Sequence, residues 1–367
     1  MTWTRALRGF TLAAAVAASA CGGNDNGGGL TDPPDIPSDP SDPGDPTPAP
    51  APVGRAIYAV DLANNLLVFG TGSPGVVSRI RRISGVPILK RIVGIDFRPS
   101  DRKLYGVGND SRVYLIDTLT AVATPVSETP FSPGIISSFD IHFGMGFDPV
   151  TERIRLMSAE LGVNWSISPD DGSATTGNSP RYAAGDKNEG RTPRVVGLAY
   201  TPPAIAASAR PALSASVARM VSAYQGPCED LMYAIDADMA EIIGSCDPDE
   251  GDFTSLGGID GLPAIAGCAE VKMDDVAPPD SPGHLWLSLQ RGAEHINSLG
   301  SVNEDGSITW HGDVPDESPI QAMAFEPASG PAPMKVAPHP SASAAATPVR
   351  PAAATAGGLK VTCPGAH

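Results

Sequence analysis

The chain has 367 residues, 41% of them hydrophobic and 18% charged, and carries a formal net charge of −16. That supply of apolar residues excludes a wholly disordered chain and is enough for one sizeable core. A surface this acidic repels phosphate backbones, which excludes nucleic acid as a partner.

At the N-terminus Arg5 and Arg8 precede an apolar run from Phe10 to Ala17 and then Ala18-Ser19-Ala20-Cys21. The run is too short for a membrane-spanning helix, so residues 1–20 read as a secretory signal peptide. A cysteine directly after small residues resembles the bacterial lipoprotein signal, in which cleavage precedes the cysteine and its sulfur and new amino group are acylated. Palmitate-type lipidation is therefore expected at Cys21, and Gly22 in place of Asp points to the outer membrane of the cell envelope. Residues 22–54 hold six Asp and no Lys or Arg, with Pro37-Ser38-Asp39-Pro40-Ser41-Asp42-Pro43 as their repeat. Such a segment has little apolar surface to bury, and residues 21–54 are expected to form a disordered tether.

From Arg55 to Pro327 a motif recurs: a short apolar segment with small residues, an aromatic or Met, and a turn. The copies are Val93–Pro99, Phe143–Pro149, Val196–Pro202, a degenerate Ala269–Asp275, and Gln321–Pro327. Their final aromatic or Met positions are 50, 53, 73 and 52 residues apart. A strand-built period near fifty indicates a propeller. After each motif come a second strand (around Tyr58, Tyr105, Arg155, Tyr233 and Trp286), a third, and a fourth, separated by turns rich in Gly, Pro, Asn and Asp. The first copy lacks its first strand and the last copy has nothing else. Five four-stranded blades result, with the strand near Met323 pairing with the strand near Tyr58 to close the ring and remove its edges. A six- or seven-bladed ring is the alternative if the Ala/Ser-rich insertion at 204–225 hides strands. Residues 328–367, rich in Ala, Pro and Ser, read as a disordered tail.

Blades converge near the axis, which gives Gly94, Gly144, Gly197 and Ala322, and with them Gly146, Ala199 and Ala324, a steric reason. Asp96 and Lys272 break the second of these columns. From blade order they face each other across the channel, as an ion pair or at the mouth of a ligand site. Asp148, Asp274 and Glu326 share a level near the first-strand ends and are weak candidates for a calcium site, with turn capping as the default. His142, beside Asp140, reads as a solvated pair. No metalloprotease, Cys-x-x-Cys, phosphate-loop or nucleophile-elbow motif is present. No catalytic residue and no cofactor are therefore expected. Cys228 and Cys246 bracket a hairpin from Leu231 to Gly244 and are expected to form a disulfide across its base, while Cys268 and Cys363 are left as a further pair.

The run Val93-Gly94-Ile95-Asp96-Phe97-Arg98-Pro99 through Leu104-Tyr105-Gly106-Val107-Gly108 is similar to bacterial domain-of-unknown-function family 4394. So are Phe131-Ser132-Pro133, Phe147-Asp148-Pro149 through Arg155, Tyr182-Ala183-Ala184-Gly185-Asp186 and Val196–Tyr200, in the family's order. The resemblance implies a secreted or surface-attached propeller and transfers no catalytic residue. The expectation is a monomeric, non-catalytic envelope lipoprotein that binds or scaffolds an unknown protein or small molecule. A metal-dependent hydrolase or lyase of the propeller-lactonase kind, or a purely structural envelope protein, are the alternatives.

Overall fold

The computed structural model describes residues 50–135, 142–158, 160–201, 231–259, 269–273, 285–291, 296–303, 307–315 and 319–327. All of these fall in one compact unit, residues 49–367. The signal peptide, residues 21–49 of the expected tether, the insertion and the tail, together with Cys21, Cys228, Cys268, Asp274 and Cys363, lie outside the described residues. Residues 50–54 are described, and the Val53 carbonyl accepts the Gly72 amide at 2.9 Å, so the end of the expected tether is held against blade one.

Five small sheets form a five-bladed β-propeller. Blade one is β1 (Ala56–Asp61), β2 (Asn65–Gly70) and β3 (Arg79–Arg82), with β21 (Ile320–Phe325) as its innermost strand. Blade two is β4 (Ile92–Phe97), β5 (Leu104–Gly108), β6 (Arg112–Ile116) and β7 (Ala123–Pro125). Blade three is β8 (Gly144–Phe147), β9 (Ile154–Ser158), β10 (Val163–Ile167) and β11 (Ala174–Thr176). Blade four is β13 (Val195–Tyr200), β14 (Met232–Asp236), β15 (Glu241–Ser245) and β16 (Asp252–Gly258), and blade five is β17 (Ala269–Met273), β18 (Leu285–Arg291), β19 (Ile296–Val302) and β20 (Ile308–Val314).

The ring closes as the strand count requires. Strand β21 pairs antiparallel with β1, Tyr58 opposite Ala324 and Ala59 opposite Met323. The inner strands touch in cyclic order β21, β4, β8, β13, β17 and back to β21. The small-residue column has the steric cause expected of it. A Cβ on Gly94 would lie 2.6 Å from Met145 Cβ, one on Gly144 2.7 Å from Leu198 Cγ, and one on Gly197 2.7 Å from the backbone of Val271. Each glycine thus admits the inner strand of the next blade.

The core is divided among the five interfaces between blades. Tyr58, Val60, Ile92 and Ile95 pack between blades one and two, and Tyr105, Val107, Met145 and Trp165 between two and three. Met157, Leu198 and Phe253 fill the next interface, Val196, Tyr233 and Leu287 the fourth, and Phe69, Leu299 and Met323 the last. Full burial of such a side chain stabilises by about 1.5–3 kcal/mol, so each blade is held mainly by its neighbours. Polar stitches add register. Asn64, in the β1–β2 turn, accepts the Ile92 amide at 2.9 Å, and Asn297 accepts that of Ile320 at 3.2 Å.

Two expectations are corrected. The fourth strand expected of blade three is not continuous: the segment 174–182 is split. Strand β11 stays on blade three, whereas β12 (Arg181–Tyr182) joins blade four, parallel to β16. The amides of Asn178 and Arg181 donate to the Asp249 and Gly251 carbonyls of blade four, which draws the chain across. The hairpin of blade four is also offset. Met232 faces Ser245 and Asp236 faces Glu241, so Cys246 follows opposite Leu231 rather than Cys228. The turn is centred further along the chain than the apolar pattern suggested, because Met239 and Ala240 belong to it. Cys246 is disulfide-bonded, to a cysteine outside the described residues.

Candidate functional site

Three charged side chains stand where the inner strands otherwise carry Gly or Ala. Asp96 is the next-to-last residue of β4, and its carboxylate accepts the amides of Phe97 at 3.0 Å and Phe147 at 2.8 Å. Lys272, from β17 two blades away, reaches it with Nζ 3.7 Å from Oδ2 and donates a hydrogen bond to the Met145 carbonyl. The two residues singled out in the sequence are thus brought together at the axis. The third, Glu270, was missed. In the aligned copies it takes the place of Gly94, Gly144, Gly197 and Ala322, so the signal was in the column itself. Its Oε1 accepts the amides of Val271 at 3.1 Å and Leu198 at 3.3 Å.

Burial governs this group. Desolvation pushes the Glu270 carboxyl up to about 8, against the pull of Lys272 and the two amides. Desolvation also raises Asp96, with Lys272 and the Phe147 amide opposing it. The environment favours a neutral Glu270 at neutral pH. Glu270 and Lys272 are 1% and 3% exposed and are tied to backbone rather than presented to solvent, whereas the Asp96 side chain is 20% exposed.

The other acidic candidates do not assemble. Asp148 is buried and accepts the amides of Val150 and Thr151, a turn cap. Glu326 is exposed on the outer wall of a different feature, and Asp274 lies outside the described residues. Among the described residues no group of three or more His, Cys, Asp or Glu is placed to hold a metal ion. His142 Nδ1 sits 3.2 Å from Glu160, while Asp140 is outside the described residues.

The feature that Glu326 borders is a cleft of about 920 Å³ between blades one and two. Blade one supplies Arg55, Tyr58 and Glu326, and blade two supplies Phe97, Arg102, Lys103, Asp117 and Thr118. Tyr58 and Phe97 meet edge to face with centroids 5.4 Å apart and form its aromatic wall. That contact belongs to a series. The second-strand residue of one blade meets the aromatic ending the next inner strand, as in Tyr105 with Phe147 and Trp286 with Phe325. Arg155 holds the equivalent place in blade three and meets Tyr200 through Nε at 3.4 Å. It also donates to Asn164 at 2.9 Å and Asp249 at 2.7 Å.

Residues 65–324 match the model of a domain of unknown function (DUF4394). No curated protein matches significantly. Solved structures similar to this chain include one from a nidogen/laminin complex, at 10% identity and TM-score 0.42, covering 74% of this chain and 98% of that one. Another is a protein of unknown function from Bacteroides caccae, at 7% identity and TM-score 0.42, covering 75% and 99%. A catalytically inactive virginiamycin B lyase from Staphylococcus aureus with quinupristin is similar at 12% identity and TM-score 0.33, covering 68% and 62%. Similarity at this level says nothing of activity.

Proposed function

We propose that this chain, which belongs to the domain of unknown function (DUF4394) family, is a non-catalytic binding module of the bacterial cell envelope. It is anchored through an acylated Cys21, by expectation in the outer membrane, and acts as a monomer. Its ligand is a small polar molecule bearing an anionic group, held in the cleft between blades one and two. The observation that carries this reading is the cleft itself. It is open, about 920 Å³ in volume, and is lined by the aromatic pair Tyr58 and Phe97 together with the cations Arg55, Arg102 and Lys103, with Asp117 and Glu326 as the acids on its rim. Concave sites with an apolar wall and a few polar groups are where small ligands are retained. The axial charges support the non-catalytic side, since Asp96, Lys272 and Glu270 spend their hydrogen bonds on backbone groups.

A ligand that binds only the folded state raises its melting temperature by mass action. Screening sugars, short peptides and carboxylic acids for such a rise, in the parent and in Arg102→Ala/Lys103→Ala, tests the assignment. A ligand whose stabilising effect is lost in the double variant supports it. A stabilising ligand indifferent to both residues places binding elsewhere.

One observation favours a second reading. A buried carboxyl displaced to about 8, with Lys272 and Asp96 beside it, is the kind of group that moves protons. A hydrolase or lyase built on Asp96 and Glu270 would show lactone or ester turnover that Asp96→Asn abolishes. With no turnover above background, that reading fails.

A further inference from the structure

Residues 62–95 contain five basic residues, Arg79, Arg81, Arg82, Lys90 and Arg91, and no acid, within a chain of net charge −16. Arg79 donates to the Thr118 carbonyl and Arg82 to that of Ala63. Among the described residues none of Arg79, Arg81, Arg82 or Lys90 has a carboxylate in ion-pair contact. Arg81 and Arg82 are exposed, and Arg79 and Lys90 half-buried.

The same segment carries the most exposed apolar side chains of the described residues. Ile88 is 92% and Leu89 80% exposed. They occupy the centre of a tight turn closed by the Lys90 amide on the Pro87 carbonyl at 3.0 Å. Leu89 has φ 65°, a left-handed conformation at the turn position normally given to Gly or Asn. A branched apolar residue held in an unfavourable backbone region, and turned to water, is not explained by the packing of the fold. Ile80 lies on β3 between Arg79 and Arg81. Leu119 and Val122 are exposed across the seam, where Ser84 bridges to Val122. With Val76, six of the seven exposed large hydrophobics among the described residues are therefore in or beside this basic segment.

We propose that the turn Pro87-Ile88-Leu89-Lys90, with the basic residues around it, docks the propeller on the surface of an anionic phospholipid bilayer. The tip is convex and apolar, a shape suited to the headgroup and acyl boundary, while the arginines meet the phosphates. The acidity of the whole protein opposes approach, but at ordinary salt the Debye length is about 10 Å. Charges elsewhere on the ring are screened over that distance, whereas the patch is in contact, so local attraction wins. The inference goes beyond ligand binding in the cleft and does not depend on acylation.

The test uses the chain from residue 22 onward, which retains the compact unit at 49–367 and lacks Cys21. Its sedimentation with vesicles of phosphatidylglycerol and phosphatidylethanolamine is compared with that on phosphatidylcholine alone. Binding is expected only to the anionic vesicles and should fall as salt rises. Arg81→Gln/Arg82→Gln should weaken it about thirtyfold, and Ile88→Ser/Leu89→Gly about tenfold or more. All four positions are exposed, so the variants should melt no lower than the parent, and Leu89→Gly alone should melt higher by relieving φ. Equal binding to phosphatidylcholine, binding untouched by either double substitution, or no binding at all overturns the proposal. Acyl labelling of the full chain reports separately on the anchor.

Discussion

At the scale of single residues the axis is where charge and burial conflict. Glu270 has a folded-state value of about 8 against an ordinary 4.5. The folded protein therefore holds this proton over a range in which the unfolded chain has released it. Stability from this group is greatest below the unfolded value and is lost as pH rises towards 8. Glu270→Gln keeps the shape without the ionisation. It should flatten the fall in melting temperature between pH 5 and pH 8 and raise melting at pH 9. An unchanged pH profile in the variant would show that the carboxyl is not desolvated in solution. Arg155 makes the complementary case. Removing it leaves the buried Asn164 oxygen and Tyr200 hydroxyl short of a partner, a loss of about 1–3 kcal/mol. Arg155→Ala should lower stability by that order in urea titration. Both residues show the limit of what was legible in the sequence. Asp96 and Lys272 stood out against Gly and Ala, and Glu270 breaks the neighbouring Gly/Ala column of the same degenerate copy, a signal as plain as that of Lys272. Arg155 was visible as a column member, but its bond to Tyr200 depends on the offset between neighbouring blades.

At the scale of elements the strands were readable because two periods coincide, alternation within a strand and about fifty residues between copies. The glycine column was readable for a steric reason, since only small residues admit the next inner strand. The cleft was not, because Glu326, Tyr58, Lys103 and Asp117 meet only after the ring closes. The blade-four hairpin was placed with its turn too early, which put Cys228 and Cys246 opposite each other when the register puts Leu231 there. The expected disulfide does not need that symmetry, since residue 228 precedes β14 by only a few positions. Non-reducing peptide mapping should recover Cys228 linked to Cys246, and reduction should destabilise the domain by about 3 kcal/mol for a loop of this size. Recovery of Cys246 on Cys268 or Cys363 would refute the pairing.

At the scale of the whole molecule the consequence of five separate cores is that stability is a property of neighbouring pairs around a ring. No blade is central, and the only interruption in blade one is covalent: its innermost strand is supplied from the far end of the chain. The Glu326 amide donates to the Ala56 carbonyl at 3.0 Å, so the end of β21 and the start of β1 are already adjacent. A short loop joining residue 327 to residue 54 would turn that pair into an ordinary hairpin. New termini opened between Ile88 and Leu89 would fall in an exposed turn, where chain breaks are tolerated best. Every blade of such a permutant is built from consecutive strands, and every interface between blades is retained. Its thermal unfolding should remain a single transition, with a midpoint close to that of the parent. The parent truncated after residue 318 loses β21, exposes the edge of β1, and should lose cooperativity. Two transitions in the permutant, or an unaltered melt in the truncated chain, would mean that the β21–β1 seam is not what closes the ring.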